Sequence, residues 1–389
     1  MIEFQRDSSV HNPIARIKVI GVGGAGGNTI NTMFETSVEG LEFIVANTDN
    51  QTLKLAKTTN RIQLGTKLTR GLGAGANPDI GRRSAEEDLN KIIGALDHSD
   101  IVFLTGGLGG GTGSGALPVI ARAVKEMGIL TVAIVTKPFT FEGKRRMKIA
   151  DQALEQLKKE VDTLIVIPNQ KLLEAAEENI SLVNAFGMIN QVINTFVRSI
   201  ADIILKPGHV NVDFADVRTT MKDSGLGSMG SGKASGPDRA YKATQEALRC
   251  PLLDNLDLSQ ARGVLLNITG GVELGLHEVS QAASAIYESV HEDAHIIFGS
   301  VIDNSMQDEV MVTMVATGFE PIVQKESVVS LQKKEPEEMA YMSSMKIKTT
   351  QEYNLSQADL KAESVDENDL EVPALVRRAA QRMHNYNNI

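Results

Sequence analysis

The sequence predicts an α/β fold made of a doubly wound parallel sheet, a long core helix and a smaller mixed-sheet α/β domain, followed by a disordered tail. Three observations carry this reading. Short continuous apolar runs alternate with segments of helical period between Ile17 and Pro168, the pattern of βα units around a parallel sheet. The stretch 181–205 is apolar on nearly every side, as a helix buried in a large protein is. All 34 glycines lie at or before Gly318, after which Lys, Glu, Gln and Ser take over with too few large apolar residues to bury a core.

The chain opens with an arm, 1–13, that ends at Pro13. Residues 17–22 read as a strand running into Gly23-Gly24-Ala25-Gly26-Gly27-Asn28, with a helix through Met33. Gly21, Gly23 and Gly26 satisfy the dinucleotide pattern GxGxxG, and Asp49, after the strand 42–46, stands where that pattern wants an acid, so an NAD site is open on this segment alone. Residues 71–77 form a second small-residue loop closed by Pro78, and one helix is expected from there to about Leu96. The apolar run 101–104 then enters Thr105 to Ala116, where seven of the ten residues from Gly106 to Gly115 are glycine, and a helix is expected over 117–124. Strand, glycine loop and helix together offer free backbone N–H groups to a phosphate. Thr112 and Ser114 are expected to add hydroxyl donors. A dinucleotide fold does not require this second loop.

The run 129–136 is a further buried strand, followed by a helix with apolar residues at Met147, Ala150, Leu154, Leu157 and Val161, and by a strand at 164–167 ending in Pro168-Asn169. Asn184, Asn190, Gln191, Asn194, Arg198 and Asp202 interrupt the apolar stretch 181–205, which favours a helix clamped between two domains over a membrane span. Asn211 to Arg218 opens another helix. Gly227 to Lys233 spells G-x-x-x-x-G-K, but Ala234 stands where a P-loop needs Ser or Thr, and the segment before it reads as helix. Strands at 263–269, 296–302 and 309–317, with a helix at 278–290, complete the second domain. In the tail, Asp369 to Arg378 gathers apolar residues between an acidic and a basic flank, the look of a docking peptide.

Totals narrow the function. A net charge of −10 argues against nucleic-acid binding through a general basic surface. The single cysteine, Cys250, excludes an intrachain disulfide and suits a reducing cytoplasm. The N-terminus lacks the apolar segment of a signal peptide, and no run reaches the ~18 residues of a membrane span, so a cytoplasmic protein without direct membrane insertion is expected.

Six motifs in order extend the reading: GVGGAGGN (21–28), NTD (47–49), GLGAGANP (71–78), GGGTGSG (109–115), PFTFEGKRR (138–146) and NVDFADVR (211–218). On these the chain resembles the FtsZ family, the bacterial tubulin homologues of cell division, over 14–318. The resemblance implies a tubulin/FtsZ-like fold with a GTP-binding Rossmann-like domain (14–180), a central core helix (181–206) and a C-terminal polymerisation and GTPase-activating domain (207–318). A disordered linker (319–367) and a partner-binding peptide and tail (368–389) would follow. It implies GTP held by Gly24, Ala25, Gly26, Gly27, Asn28, Ala76, Gly110, Gly111, Thr112, Gly113 and Ser114, with Mg2+ bound through the phosphates and no direct protein ligand. Glu142 and Arg146 would approach ribose and phosphates, Phe186 the base, and Asn169 and Gln191 would complete the nucleotide site. Gln191 stands where the family usually carries an Asp that accepts from guanine N1–H and N2–H, and an amide offers one acceptor group. Asn211, Asp213 and Asp216 would act on the neighbouring subunit's GTP in a head-to-tail homopolymer. Leu370, Val372, Pro373, Leu375, Val376 and Arg377 would bind membrane adaptors of the FtsA/ZipA type and spatial regulators such as MinC. The implied setting is the Z ring at the midcell division site. The alternatives are a tubulin-like filament GTPase of plasmid segregation or cell shape, which should lack the docking peptide, and a soluble NAD enzyme, which gives no account of NVDFADVR.

Overall fold

The structure, a computed structural model, describes residues 15–36, 40–176, 180–206, 212–253 and 256–319. The arm at 1–13, the linker apart from Phe319, and the terminal peptide lie outside the described residues.

The first half alternates as the apolar runs require. β1 (Ile17–Val22) leads into α1 (Gly23–Glu35), and β2 (Leu41–Asn47) into the short α2 (Asn50–Lys54) and the edge strand β3 (Asn60–Gln63). Next come α3 (Pro78–Glu87), α4 (Leu89–Leu96), β4 (Ile101–Gly107), α5 (Thr112–Glu126), β5 (Leu130–Lys137), α6 (Lys144–Glu160), β6 (Thr163–Pro168) and α7 (Asn169–Glu174). α8 (Leu182–Leu205) and α9 (Phe214–Met221) then lead to β7 (Gly225–Ser235), α10 (Arg239–Leu248), β8 (Gly263–Gly270), α11 (Leu276–Tyr287), β9 (His295–Ile302) and β10 (Glu309–Phe319).

Among the described residues the strands form one sheet in the order β3-β2-β1-β4-β5-β6-β7-β10-β8-β9. Pairing is parallel from β3 to β7, while β10 runs antiparallel to both neighbours and β8 pairs parallel with β9. The two halves of the sheet are joined where Thr163–Ile165 of β6 pair with Gly225–Gly227 of β7. Successive side chains of a strand face opposite sides. Val19, Phe103 and Ile134 accordingly pack with Ile30 and Met33 of α1 and Ile193, Phe196 and Ile200 of α8. Ile20, Leu104 and Val135 pack on the other side with Leu117, Ile120 and Val124 of α5 and Leu157 of α6. Both faces of the parallel half are therefore covered. The antiparallel end has its own core, built from Val264, Leu266, Val312 and Met314 with Ala243 of α10 and Ile286 of α11.

Four expectations need correction. The helix expected from Pro78 to Leu96 breaks at Asp88, whose buried carboxylate accepts from Thr66 N–H (3.1 Å) and pairs with Lys91 (2.6 Å). Burial alone would raise that carboxyl's pKa, but the Lys91 and Thr66 donors outweigh it and hold it low. The helix after the glycine loop starts at Thr112 instead of at 117. The first turn of α8 is not buried, since Leu182 and Val183 are 61% and 80% exposed. The segment with the P-loop pattern is strand β7, and its glycines serve packing. A Cβ at Gly230 or Gly232 would lie 2.1 Å from the carbonyl of Ala247 or Ala243, so only glycine lets α10 lie directly on the strand. No helix among the described residues is long and apolar enough to cross a membrane.

Arg239, 7% exposed, ties the antiparallel end together. Its guanidinium donates to both Glu278 oxygens (2.8 and 3.1 Å) and to Asp308 (2.8 Å), while Glu278 also accepts from Gly275 N–H at the start of α11. The Arg239 bond lowers the Glu278 pKa against the opposing effect of burial. Removing one partner of such a pair strands the other, so Arg239→Ala should lower stability by about 3 kcal/mol in denaturant titration. A carboxyl with a depressed folded pKa stabilises above its unfolded value and loses that contribution as pH falls through the folded one. The contribution of Glu278 should therefore be whole at neutral pH and decline as pH drops below 4.5, and Glu278→Gln should flatten that part of the melting-temperature profile.

Candidate functional site

The strand order reverses at β1 and β4, which lie side by side while α1 leaves on one face and α5 on the other. In such sheets a crevice opens beyond the strand ends at this point. Here it is a cavity of about 470 Å³. The first turns of both helices line it, through Gly23, Gly24 and Ala25 from α1 and Gly110 to Gly113 from the turn into α5. Neither helix has a side-chain cap. Their leading N–H groups are orphan donors, each carrying the positive end of a helix dipole, and they suit an anion. Among the described lining residues only Glu142 and Arg146 ionise, and they pair with each other.

Glycine makes this convergence possible. A Cβ at Gly115 would sit 2.0 Å from the Pro78 carbonyl, and one at Gly81 would sit 2.2 Å from the Gly111 carbonyl. α3 and α5 thus meet backbone to backbone. Thr48, fully buried at the end of β2, fixes the same turn through a 2.7 Å bond between its hydroxyl and that of Thr112. The neighbouring Asp49 is committed elsewhere. It caps α2, accepting from Thr52 Oγ1 (2.9 Å) and Gln51 N–H (2.8 Å), and these bonds lower its pKa. Asp49 thus serves as the cap of α2.

The far wall is apolar and amide-bearing. Phe186 meets Phe139 edge to face at 5.3 Å, and Phe186, Ile189, Asn190 and Ile193 share one face of α8. Asn190 Oδ1 lies 3.0 Å from the Thr29 hydroxyl. Asn169, 4% exposed, lines the cavity with its Oδ1 unpaired, a buried acceptor waiting for a donor. Glu142 accepts from Phe139 N–H at 2.9 Å as well as from Arg146.

Of the residues singled out in the sequence, Gly24, Ala25, Asn28, Gly110, Gly111, Thr112, Gly113, Glu142, Arg146, Asn169 and Phe186 come together at the cavity. Gly26 and Gly27 are buried in the first turns of α1, and Ala76 is exposed at φ +56° in the loop before α3. Ser114 adds no hydroxyl to the cavity, because its oxygen is turned inward to accept from Gly109 N–H (2.9 Å). Gln191 is exposed and outside the lining, since one step along a helix turns a side chain by ~100°. Asn190 faces inward in its place. Sequence reasoning missed Asn190 and Thr29, although the i, i+4 spacing from Phe186 to Asn190 was available. Asp213 and Asp216 are exposed at the start of α9 and do not line the cavity. Asp213 occupies the N-cap position without a side-chain cap bond. Asn211 and the tail residues Leu370, Val372, Pro373, Leu375, Val376 and Arg377 lie outside the described residues.

The chain is similar to known proteins over most of its length. Residues 16–177 match the profile of the Tubulin/FtsZ family GTPase domain, and residues 225–320 that of the FtsZ family C-terminal domain. The cell division protein FtsZ of Pseudomonas putida is 47% identical over 374 residues, which is 96% of this chain and 91% of that protein. FtsZ of Caulobacter vibrioides is 52% identical over 305 residues, 78% of this chain, and the match takes in only 60% of the Caulobacter protein. A solved FtsZ dimer from M. jannaschii superposes with a TM-score of 0.75 at 44% identity, covering 78% of this chain and 88% of that one.

Because Gly115 has no room for a side chain, Gly115→Ala should push α3 from α5, lower stability by about 1–3 kcal/mol and weaken guanine-nucleotide binding. Thermal melting with and without GDP reads both effects, and a variant indistinguishable from wild type in both would contradict the packing described.

Proposed function

The chain belongs to the tubulin/FtsZ family, and from that membership we propose that it is the polymerising GTPase of bacterial cell division, acting in the cytoplasm at midcell. The observation that carries the reading is the separation of two half-sites. One is a cavity rich in N–H donors with no free carboxylate among the described residues. The other is a pair of exposed carboxylates, Asp213 and Asp216, on a helix start away from it.

GTP would lie with its phosphates against the first turns of α1 and α5 and its base beside Phe186. The Asn169 acceptor suits guanine N1–H and N2–H, and Asn190 joins it at the same wall. Among the described residues no group of three or more His, Cys, Asp or Glu side chains is placed to hold a metal ion. Mg2+ would be held by phosphate oxygens and water, where it offsets phosphate charge. Hydrolysis needs a water positioned in line with the γ-phosphate, and little in the cavity can do this. Asp213 and Asp216 of the next subunit, with Asn211, would orient that water when subunits stack head to tail. Such a contact does not close on itself and so builds filaments. The terminal peptide would then dock adaptors of the FtsA/ZipA type and regulators such as MinC.

On this reading Asp213→Ala should lower GTP hydrolysis at least a hundredfold while GTP binding and filament formation persist. Phosphate release, nucleotide binding and sedimentation on one preparation check it. Turnover at the wild-type rate would rule out the shared site.

A further inference from the structure

α9 presents the exposed Asp213 and Asp216 at its N-terminal end, and its hydrogen bonds to the sheet lie at the other end. Helix C-termini leave carbonyls without intrahelical partners. In α9 these carbonyls are met by buried side chains from both halves of the sheet. The Thr163 hydroxyl, from the first residue of β6, donates to Met221 O at 2.6 Å and lies 2.9 Å from Ser224 Oγ. The Thr317 hydroxyl, from β10, sits between Thr220 O (3.2 Å) and Gly263 O (3.3 Å). Thr163 and Thr317 are 0% and 1% exposed. A third tie comes from α9 itself, where Arg218 Nη2 donates to Gly128 O (3.0 Å) in the turn between α5 and β5. Val217 and Met221 seat the inner face of the helix in the core beneath α8.

The short helix is thus a lever hydrogen-bonded to the sheet at its C-terminal end and carrying the two exposed carboxylates at the other, where Val212 and Phe214 rest on the core. A small rotation about these hydrogen bonds is carried to Asp213, and misplacement by about 1 Å of a group that orients a reactant can cost 10²-fold in rate.

We propose that Thr163, assisted by Thr317, is a positioning residue for GTP hydrolysis: its hydroxyl caps the C-terminus of α9 and so sets where Asp213 and Asp216 enter the neighbouring subunit's site. The inference rests on the shared-site reading above. Neither threonine touches nucleotide, so their loss acts on the neighbour's turnover and leaves the subunit's own affinity for GTP.

The test uses the full chain with Thr163→Val, which keeps the shape and removes the hydroxyl, Thr163→Ser, which restores it, and Asp213→Ala in parallel. Hydrolysis per polymerised subunit, KM and GTP affinity are measured together. Thr163→Val should lose tenfold or more in kcat with GTP affinity within about twofold of wild type, and Thr163→Ser should recover most of it. A wild-type rate in Thr163→Val beside an inactive Asp213→Ala overturns the lever and leaves the shared site standing. Equal losses of rate and affinity overturn it too, because they mean general loosening. Normal turnover in Asp213→Ala means that the shared-site reading itself has failed and removes the basis of the lever. Should Thr163→Val fail to fold, Thr317→Val is read against the same outcomes.

Discussion

Two helix N-termini without side-chain caps open on one cavity, and most of the first half of the chain is arranged to keep them there. Orphan N–H groups in a partly enclosed site are unfavourable unless an anion or water meets them. The parallel sheet fixes β1 and β4 side by side, the backbone contact at Gly115 and Gly81 brings α3 against α5, and the Thr48–Thr112 bond holds the turn between them. The glycine contact places main chain where a side chain would be in the way. The cavity that results is lined largely by backbone dipoles, which cannot be titrated away.

The same economy leaves the cavity chemically incomplete. Its one carboxylate among the described residues, Glu142, is held by Arg146 and Phe139 N–H. Exposed carboxylates stand instead at the head of α9, on a helix whose other end is tied to both halves of the continuous sheet. On the proposed reading, a binding half-site and an orienting half-site on one chain would make assembly a condition of turnover, and the geometry of the sheet would become part of the catalytic apparatus.

Much of this was legible in the sequence. β1, β4, β5 and β6 stand out because strands covered on both faces read as unbroken apolar runs, and the glycine loops between them announce close main-chain approach. β7 was hidden for the opposite reason. GLGSMGSGKAS lacks the side chains that mark a strand, because α10 takes up the space they would fill. β3, four residues at a sheet edge with one buried, has too little burial to leave a pattern. At the site, motif position pointed to Gln191, but helix phase brings Asn190 to the cavity with Phe186, Ile189 and Ile193. Ser114 was read as a ligand donor from its place in a loop, and only the fold reveals that it holds Gly109. Residue type and spacing indicate which chemistry is present. Which way a hydroxyl or an amide turns is decided by packing.

The most direct test of the account is GTP hydrolysis measured against protein concentration, with light scattering followed in the same cuvette. A site completed by the next subunit predicts no phosphate release below a critical concentration and release that rises together with scattering above it. Release simply proportional to protein at every concentration, without scattering, would mean that one chain holds a complete active site, and would contradict the division of labour between the cavity and α9.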